Sequence, residues 1–363
     1  MLIAADHIWY EHGLQSDFAL WITDGRVTDI GPLGTATPDM RAALLLPLLT
    51  DLQVNGGGGT MLNNDPTPDG VLRIAAAHRS CGTGTILPTV ITDTHDVIEA
   101  AADAVRQTYG ARGIGGIHIE GPHISPERPG THDPCQIRPL DQRSVDLVRA
   151  LRQDGIPVMI TLAPERTDPE MLRALADSGA VVSGGHSAAT ATQTYEALTQ
   201  GLGCFTHLYN AMPAMTSREP GILGAALNSD AYAGIIVDGI HVSWDMVRVA
   251  LRARPRAGLT FAVSDAMATV GGPDHFELYG QTIHVENGAL VNAEGSLAGA
   301  HIDLVQSLAN LVLHVGLPLA EAIPMVSDIP RAVVSLPSQA LHVGMDANDI
   351  LMLNDDFTMV RMP

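Results

Sequence analysis

Ile117-His118-Ile119-Glu120-Gly121-Pro122-His123 is an alternating apolar run cut short by a carboxylate, a glycine and a proline. Gly116 to Ile119 predicts a buried strand, and Gly121-Pro122 must end it. Glu120 then falls at the strand's C-terminal tip, a costly place for a carboxylate unless a cation meets it. Two later runs end the same way, Val181-Val182-Ser183-Gly184-Gly185 in His186 and Cys204-Phe205-Thr206 in His207. One carboxylate and two imidazoles at successive strand tips are the ligand set of an open, catalytic divalent-metal site. Taken singly, Glu120 could be held by an arginine, His186 could sit in a plain turn and His207 in the core. Their shared position favours the metal.

Outward from this stretch, apolar runs that end in Gly, Asp, Pro or His recur near 45–55, 84–90, 114–121, 156–165, 180–186, 202–210, 234–242 and 259–266. Segments of helical composition and length separate them, among them 97–109, 144–154, 169–178 and 191–200. Strands alternating with helices predict an α/β fold, a closed parallel (β/α)8 TIM barrel with its functional groups at the C-terminal strand ends. The first 30 residues instead alternate around turn signals at Glu11-His12-Gly13 and Thr23-Asp24-Gly25-Arg26. The stretch 349–360 reads as two short strands about an Asn-Asp-Asp turn, and neither end is large enough to stand alone. The expected division is 1–46 and 339–363 as one small β-domain and 47–338 as the barrel. A polar hairpin at His275–Asn292 and a helix-like stretch within Ser296–Val315 follow the eighth run.

Bulk properties exclude several functions. With 363 residues, 46% of them hydrophobic and none in a run of 18, the chain is not expected to span a membrane. Met1 to Tyr10 has neither a basic start nor a long apolar stretch, so no signal peptide is expected. A formal charge of −20 opposes nucleic acid and anionic membranes. Three widely spaced cysteines make no disulfide framework and fit a reducing cytoplasm. All 20 basic residues are arginine. The absence of lysine rules out Schiff-base chemistry and any metal bridge made by a carboxylated lysine.

Asp265, in Val263-Ser264-Asp265-Ala266, ends the eighth run; it reads as a general base and acid beside a metal-bound water, or as a helix N-cap. His241 and His132 are candidate donors to substrate, with plain loop histidines as the alternative. Arg218 suits bidentate capture of phosphate or an ordinary surface ion pair. Asn55-Gly56-Gly57-Gly58-Gly59 lacks the Lys-Ser/Thr of a nucleotide loop and reads as a turn at the site's mouth.

The segments Asp51-Leu52-Gln53-Val54-Asn55-Gly56, His118-Ile119-Glu120-Gly121-Pro122, Pro129-Gly130-Thr131-His132 and Gly185-His186-Ser187-Ala188-Ala189-Thr190 occur in one order along the chain. They continue with Thr206-His207-Leu208-Tyr209-Asn210-Ala211-Met212, Arg218-Glu219-Pro220-Gly221, Val237-Asp238-Gly239-Ile240-His241, Ser264-Asp265-Ala266 and Ser296-Leu297-Ala298-Gly299. Together this set resembles the N-acetylglucosamine-6-phosphate deacetylase family of the amidohydrolase superfamily. The resemblance implies a distorted (β/α)8 barrel with a β-sandwich built from both termini. It also implies hydrolysis of the acetamide of N-acetyl-D-glucosamine 6-phosphate to D-glucosamine 6-phosphate and acetate. Alternatives are another N-acyl substrate, such as N-acetylgalactosamine 6-phosphate, or a non-catalytic sugar-phosphate-binding barrel. By motif match, Glu120, His186 and His207 would be metal ligands, Asp265 the general base and acid, and His132 the group polarising the acetyl carbonyl. His241 and Arg218 would hold the phosphate, and Thr131, Asn210, Ala211 and Leu297 would line the sugar site. The arginine is typically supplied across the interface of a homodimer in that family. Gln53-Val54-Asn55 replaces the His-x-His of many amidohydrolases, which implies one metal per subunit, zinc by default, with iron, cobalt or manganese as alternatives. His123 and His301 depart from the family pattern, either as harmless side chains or as residues that reshape the sugar pocket.

Overall fold

The computed structural model describes residues 1–291 and 297–362; Asn292 and Ser296, which end the expected hairpin and open the following stretch, lie outside the described residues. Four strands come first: β1 (Leu2–Tyr10), β2 (Gly13–Thr23), β3 (Arg26–Pro32) and β4 (Met40–Pro47). Glu11-His12 and Asp24-Gly25 make two-residue hairpin loops with positive φ at both positions, the geometry that matches strand twist. Near the other end, β19 (Ile350–Leu353) pairs antiparallel with β4, giving the order β19-β4-β1-β2-β3. The second C-terminal strand shrinks to one bridge, Leu353 to Met359. Both chain termini thus build one β-sandwich module, with Ile3, Ile8, Leu20, Leu45, Leu341 and Ile350 in its core.

The barrel strands are β5 (Leu49–Val54), β8 (Thr83–Ile91), β9 (Ile117–Glu120), β10 (Val158–Leu162), β11 (Val181–Gly184), β12 (Leu202–Phe205), β13 (Tyr232–Ile235) and β14 (Thr260–Ala262). Between β5 and β8 lies a two-strand ribbon, β6 (Gly56–Gly57) and β7 (Thr60–Met61). All eight barrel strands run parallel in sequence order, as a distorted (β/α)8 barrel requires. Every residue of β5, β8 beyond Thr85, β9 and β10 is buried, as in a sheet covered on both faces. The apolar run read at 45–55 is two strands, because Pro47 ends β4 in the sandwich and β5 restarts at Leu49 in the barrel.

Outer helices follow from the sequence in the usual way. Residues 95–108 put Ile98, Ala101, Ala102 and Val105 on one buried stripe, and Thr94 caps the start by accepting from Val97 N. Asp141, Asp168, Thr190 and Ser243 cap four further helices. After β14, four antiparallel strands, β15 (His275–Leu278), β16 (Gln281–Glu286), β17 (Ala289–Val291) and β18 (Leu297–Ala300), form a small sheet. No helix among the described residues is long and apolar enough to cross a membrane.

The barrel closes where the site lies. β14 and β5 meet through Asp265 N donating to Gln53 O (3.1 Å) and Asn55 N donating to Ala266 O (2.9 Å). Beneath this seam runs a buried polar chain. His118 Nδ1–H donates to Leu52 O (3.0 Å), so its Nε2 accepts from Thr161 Oγ1 (2.7 Å), which accepts from Thr206 Oγ1 (2.6 Å), which accepts from Ser183 Oγ (2.7 Å). Each group is satisfied, as a dry interior demands.

Two buried histidines make the fold acid-sensitive. His78 Nε2 donates to Gly56 O (2.9 Å) and His123 Nδ1 donates to Pro139 O (3.0 Å), and burial pushes each pKa down to about 4. The unfolded chain binds these protons near pH 6.5, the native chain only near 4. The stability these two histidines contribute is therefore complete above about pH 6.5 and is lost as pH drops toward 4, by roughly 2–3 kcal/mol per pH unit near pH 5. Urea unfolding at pH 7.5 and pH 5 is expected to show this fall, and His123→Gln to reduce it. Parallel pH dependences for the two proteins would refute the assignment.

Candidate active site

Glu120 ends β9 itself, but His186, His207 and Asp265 lie two or three residues beyond the last ladder residues of β11, β12 and β14. All three take left-handed backbone conformations, with φ of 48°, 27° and 52°. That region is uncommon for residues other than glycine and is held only where the surroundings fix it. Glu165 supplies part of this fixing: it accepts from Ser187 Oγ and from Ala188 N, both at 2.7 Å, immediately after His186.

The three expected ligands converge. Glu120 Oε1 lies 3.2 Å from His186 Nε2 and 3.1 Å from His207 Nε2, and the two ring nitrogens are 3.0 Å apart. His186 Nδ1–H donates to Arg128 O (3.0 Å), so in the neutral ring its Nε2 turns a lone pair inward. A carboxylate and two imidazole nitrogens this close call for positive charge between them, a proton or a cation. Donors around zinc-sized ions in tetrahedral geometry stand about 3.3 Å apart, so the spacing fits one divalent cation. Burial opposes the charged forms of Glu120 and His207. Their mutual hydrogen bonding and charge outweigh it, holding Glu120 well below the usual carboxylate range and raising His207.

His132 also approaches; it forms a group with Glu120 and His186 whose potential ligand atoms lie within 4.8 Å of one another. Its hydrogen bonds set it apart. The Thr92 main-chain N–H, which can only donate, points at His132 Nδ1 (3.3 Å), and Thr92 Oγ1 is 2.6 Å from the same nitrogen. The proton of the neutral ring therefore sits on Nε2, making that atom a donor. Burial pushes the His132 pKa down to about 3, so the ring stays neutral.

Gln53 and Asn55 turn amide N–H groups toward the carboxylates. Gln53 Nε2 donates to both oxygens of Glu120 (3.1 Å each) and to Asp265 Oδ1 (3.0 Å), and Asn55 Nδ2 donates to Asp265 Oδ1 (2.7 Å). Donors stand where a second cation would need acceptors. Among the described residues both side-chain bonds to Asp265 fall on Oδ1 and none on Oδ2, and burial, then the charge of Glu120, pushes its pKa up to about 6.

Asn55, Glu120, His132, His186, His207 and Asp265 line a cavity of about 170 Å³ together with Thr131, Asn210, Ala211, His241 and Leu297. His241 is oriented by Asp238, whose Oδ2 accepts from Nδ1 at 2.6 Å. Arg218 does not line the cavity: it is exposed on the loop before the helix at Gly221–Asn228. His123 bonds backbone carbonyls and His301 bonds Thr269 Oγ1 (2.8 Å); neither lines the cavity. Sequence reasoning treated Gln53 and Asn55 only as absent ligands, and it missed Thr92. Thr92 follows the last residue of β8, the strand-tip position that exposed the other residues.

No family model matches the sequence. An N-acetylgalactosamine-6-phosphate deacetylase from Shewanella sp. (strain ANA-3) is 40% identical over 310 residues, 84% of this chain and 78% of that protein. An N-acetylglucosamine-6-phosphate deacetylase from Haemophilus influenzae is 32% identical over 340 residues, 91% of this chain and 88% of that protein. The chain belongs to the N-acetylglucosamine-6-phosphate deacetylase family. Within that deacetylase family, the crystal structure of the Pasteurella multocida protein superposes with a TM-score of 0.88 at 30% identity, covering 99% of this chain and 97% of that one. A mutant of the Mycobacterium smegmatis deacetylase in complex with N-acetyl-D-glucosamine-6-phosphate matches with a TM-score of 0.88 at 29% identity, covering 99% and 96%.

The ligand geometry has a direct test. His186→Ala and His207→Ala are each expected to take bound divalent metal from about one equivalent to near zero, whereas His132→Ala keeps it, as read by elemental analysis of the purified proteins. Metal loss in His132→Ala would transfer a ligand role to that ring.

Proposed function

We propose that this chain hydrolyses the acetamide of N-acetyl-D-glucosamine 6-phosphate, releasing acetate and D-glucosamine 6-phosphate in amino-sugar catabolism. The observation that carries the reading is the open oxygen of Asp265 beside the Glu120, His186 and His207 cluster in one cavity. Glu120, His186 and His207 would hold one divalent ion, Zn2+ by donor type, with Fe2+, Co2+ and Mn2+ suited to the same donors. When bound, such an ion polarises a carbonyl and lowers the pKa of water.

The chain's own residues do the rest. Asp265, with a pKa near 6, takes a proton from the attacking water on Oδ2 and returns it to the departing amine. His132 offers its Nε2–H to the acetyl oxygen as negative charge develops there. Thr131, Asn210, Ala211 and Leu297 border the sugar, and His241 faces the phosphate. A dianion needs more than one imidazole, yet no arginine is among the residues lining the cavity. Exposed Arg218 is the candidate, supplied by the neighbouring subunit of a homodimer. Three free cysteines suit a cytoplasmic setting.

A second reading, the N-acetylgalactosamine 6-phosphate epimer as substrate, is favoured by the 40% identity to the Shewanella protein. Acetate release from both sugar phosphates and their unphosphorylated forms separates the two: the physiological substrate has the higher kcat/KM. No acetate from any of them would end the deacetylase proposal. Asp265→Asn is expected to lower kcat about a thousandfold with metal content intact; near-normal turnover would remove its role. Arg218→Ala should raise KM for the phosphorylated sugar about tenfold or more and leave the unphosphorylated one unchanged. Equal effects on both would mean that Arg218 does not read phosphate.

A further inference from the structure

His132 is useful to the reaction above in only one of its two neutral forms. A ring with its proton on Nδ1 would turn a lone pair toward the acetyl oxygen and repel the charge that develops there. The ring is buried, and its centroid lies 4.3 Å from that of His186, an aromatic contact indifferent to the tautomer. The choice falls to the contacts at Nδ1, and both come from one residue. The Thr92 main-chain N–H lies 3.3 Å and its hydroxyl oxygen 2.6 Å from that nitrogen.

Thr92 is itself held from three sides. Its side chain is completely buried beside Gly121, where any Cβ would stand 2.2 Å from Thr92 Oγ1, so the residue following Glu120 must be glycine for the hydroxyl to fit. The register pairs Ile91 with Glu120, which sets Thr92 against Gly121. From the other side Tyr279, in the turn between β15 and β16, donates its hydroxyl to Thr92 O at 2.6 Å. With its carbonyl engaged by Tyr279, Thr92 presents N–H and O–H together toward the ring.

Resting on the reading of His132 given above, we propose that Thr92 is the positioning residue that selects the Nε2–H tautomer of His132 and aims it at the acyl oxygen. The hydroxyl donates to Nδ1, the amide adds a weaker second donor, and the only N–H left on the ring faces the cavity. Thr92 touches no substrate; it acts through His132. Tyr279 ties the small β15–β18 sheet, which contributes Leu297 to the cavity, to the same residue.

Thr92→Val keeps the shape and the main-chain N–H and removes the hydroxyl; Thr92→Ser keeps the hydroxyl and removes the methyl. We expect Thr92→Val to lower kcat about 10- to 100-fold with KM within about threefold, and Thr92→Ser to stay within about threefold of wild type. In a His132→Ala background, Thr92→Val should cost nothing further, because its effect passes through the missing ring. Nitrogen-15 NMR of histidine-labelled protein should show the Nε2–H form of His132 in the wild type and a mixture in Thr92→Val, with circular dichroism checking that each variant is folded. A wild-type tautomer in Thr92→Val, a Thr92→Ser no better than Thr92→Val, or additive losses in the double variant would each overturn the proposal. A changed tautomer with undiminished kcat would instead sink the catalytic reading of His132 while leaving the positioning by Thr92 intact.

Discussion

Three lone-pair-bearing atoms from three different strands, held within 3.2 Å of one another, set the terms for this molecule. Such a cluster is stable only with positive charge at its centre, and the chain supplies no lysine or arginine there. The backbone bends sharply to build it. His186, His207 and Asp265 all occupy left-handed conformations that cost of order 1–3 kcal/mol each. The Glu165 clamp beyond His186 and the main-chain bond from Asp265 N to Gln53 O hold two of these turns in place. Strain gathered where the chemistry would occur, and fixed by surrounding hydrogen bonds, is the usual mark of a functional site.

The seam that closes the barrel is also the seam of the site. Gln53 contributes its carbonyl to the junction with Asp265 and its amide to both carboxylates, so one residue serves closure and electrostatics together. Its N–H groups offset part of the repulsion between Glu120 and Asp265. They also set donors where a second cation would need acceptors. In the proposed reaction Glu120 would help to hold one cation and Asp265 would move protons. The two acids are driven apart by environment: Glu120 stays ionised, while Asp265 is lifted toward neutrality.

A chain with a formal charge of −20 is a poor attractor for a phosphorylated sugar. In the proposed reaction His241, oriented by Asp238, would meet the phosphate. The remaining positive charge is not in the cavity of a single chain, which gives exposed Arg218 and a second subunit their place in the proposal. Of the two family-pattern departures, His123 went into backbone support and His301 into a bond with Thr269, both outside the cavity lining.

Much of this was legible in the amino-acid order alone. Alternating strand and helix composition, with functional residue types recurring at the ends of apolar runs, determined the barrel and picked out Glu120, His186, His207 and Asp265, because parallel barrels expose only their strand ends. Turn residues at both termini determined that the ends are β-structure. Tertiary structure alone decided that Gln53 and Asn55 face the carboxylates with N–H groups, and that Thr92 sets its main-chain N–H and hydroxyl against Nδ1 of the His132 ring. Each of those depends on side-chain direction and on partners 40 to more than 200 positions away in sequence. Local composition carries the period of a strand; it cannot carry the angle at which a ring meets an amide from the other side of a barrel.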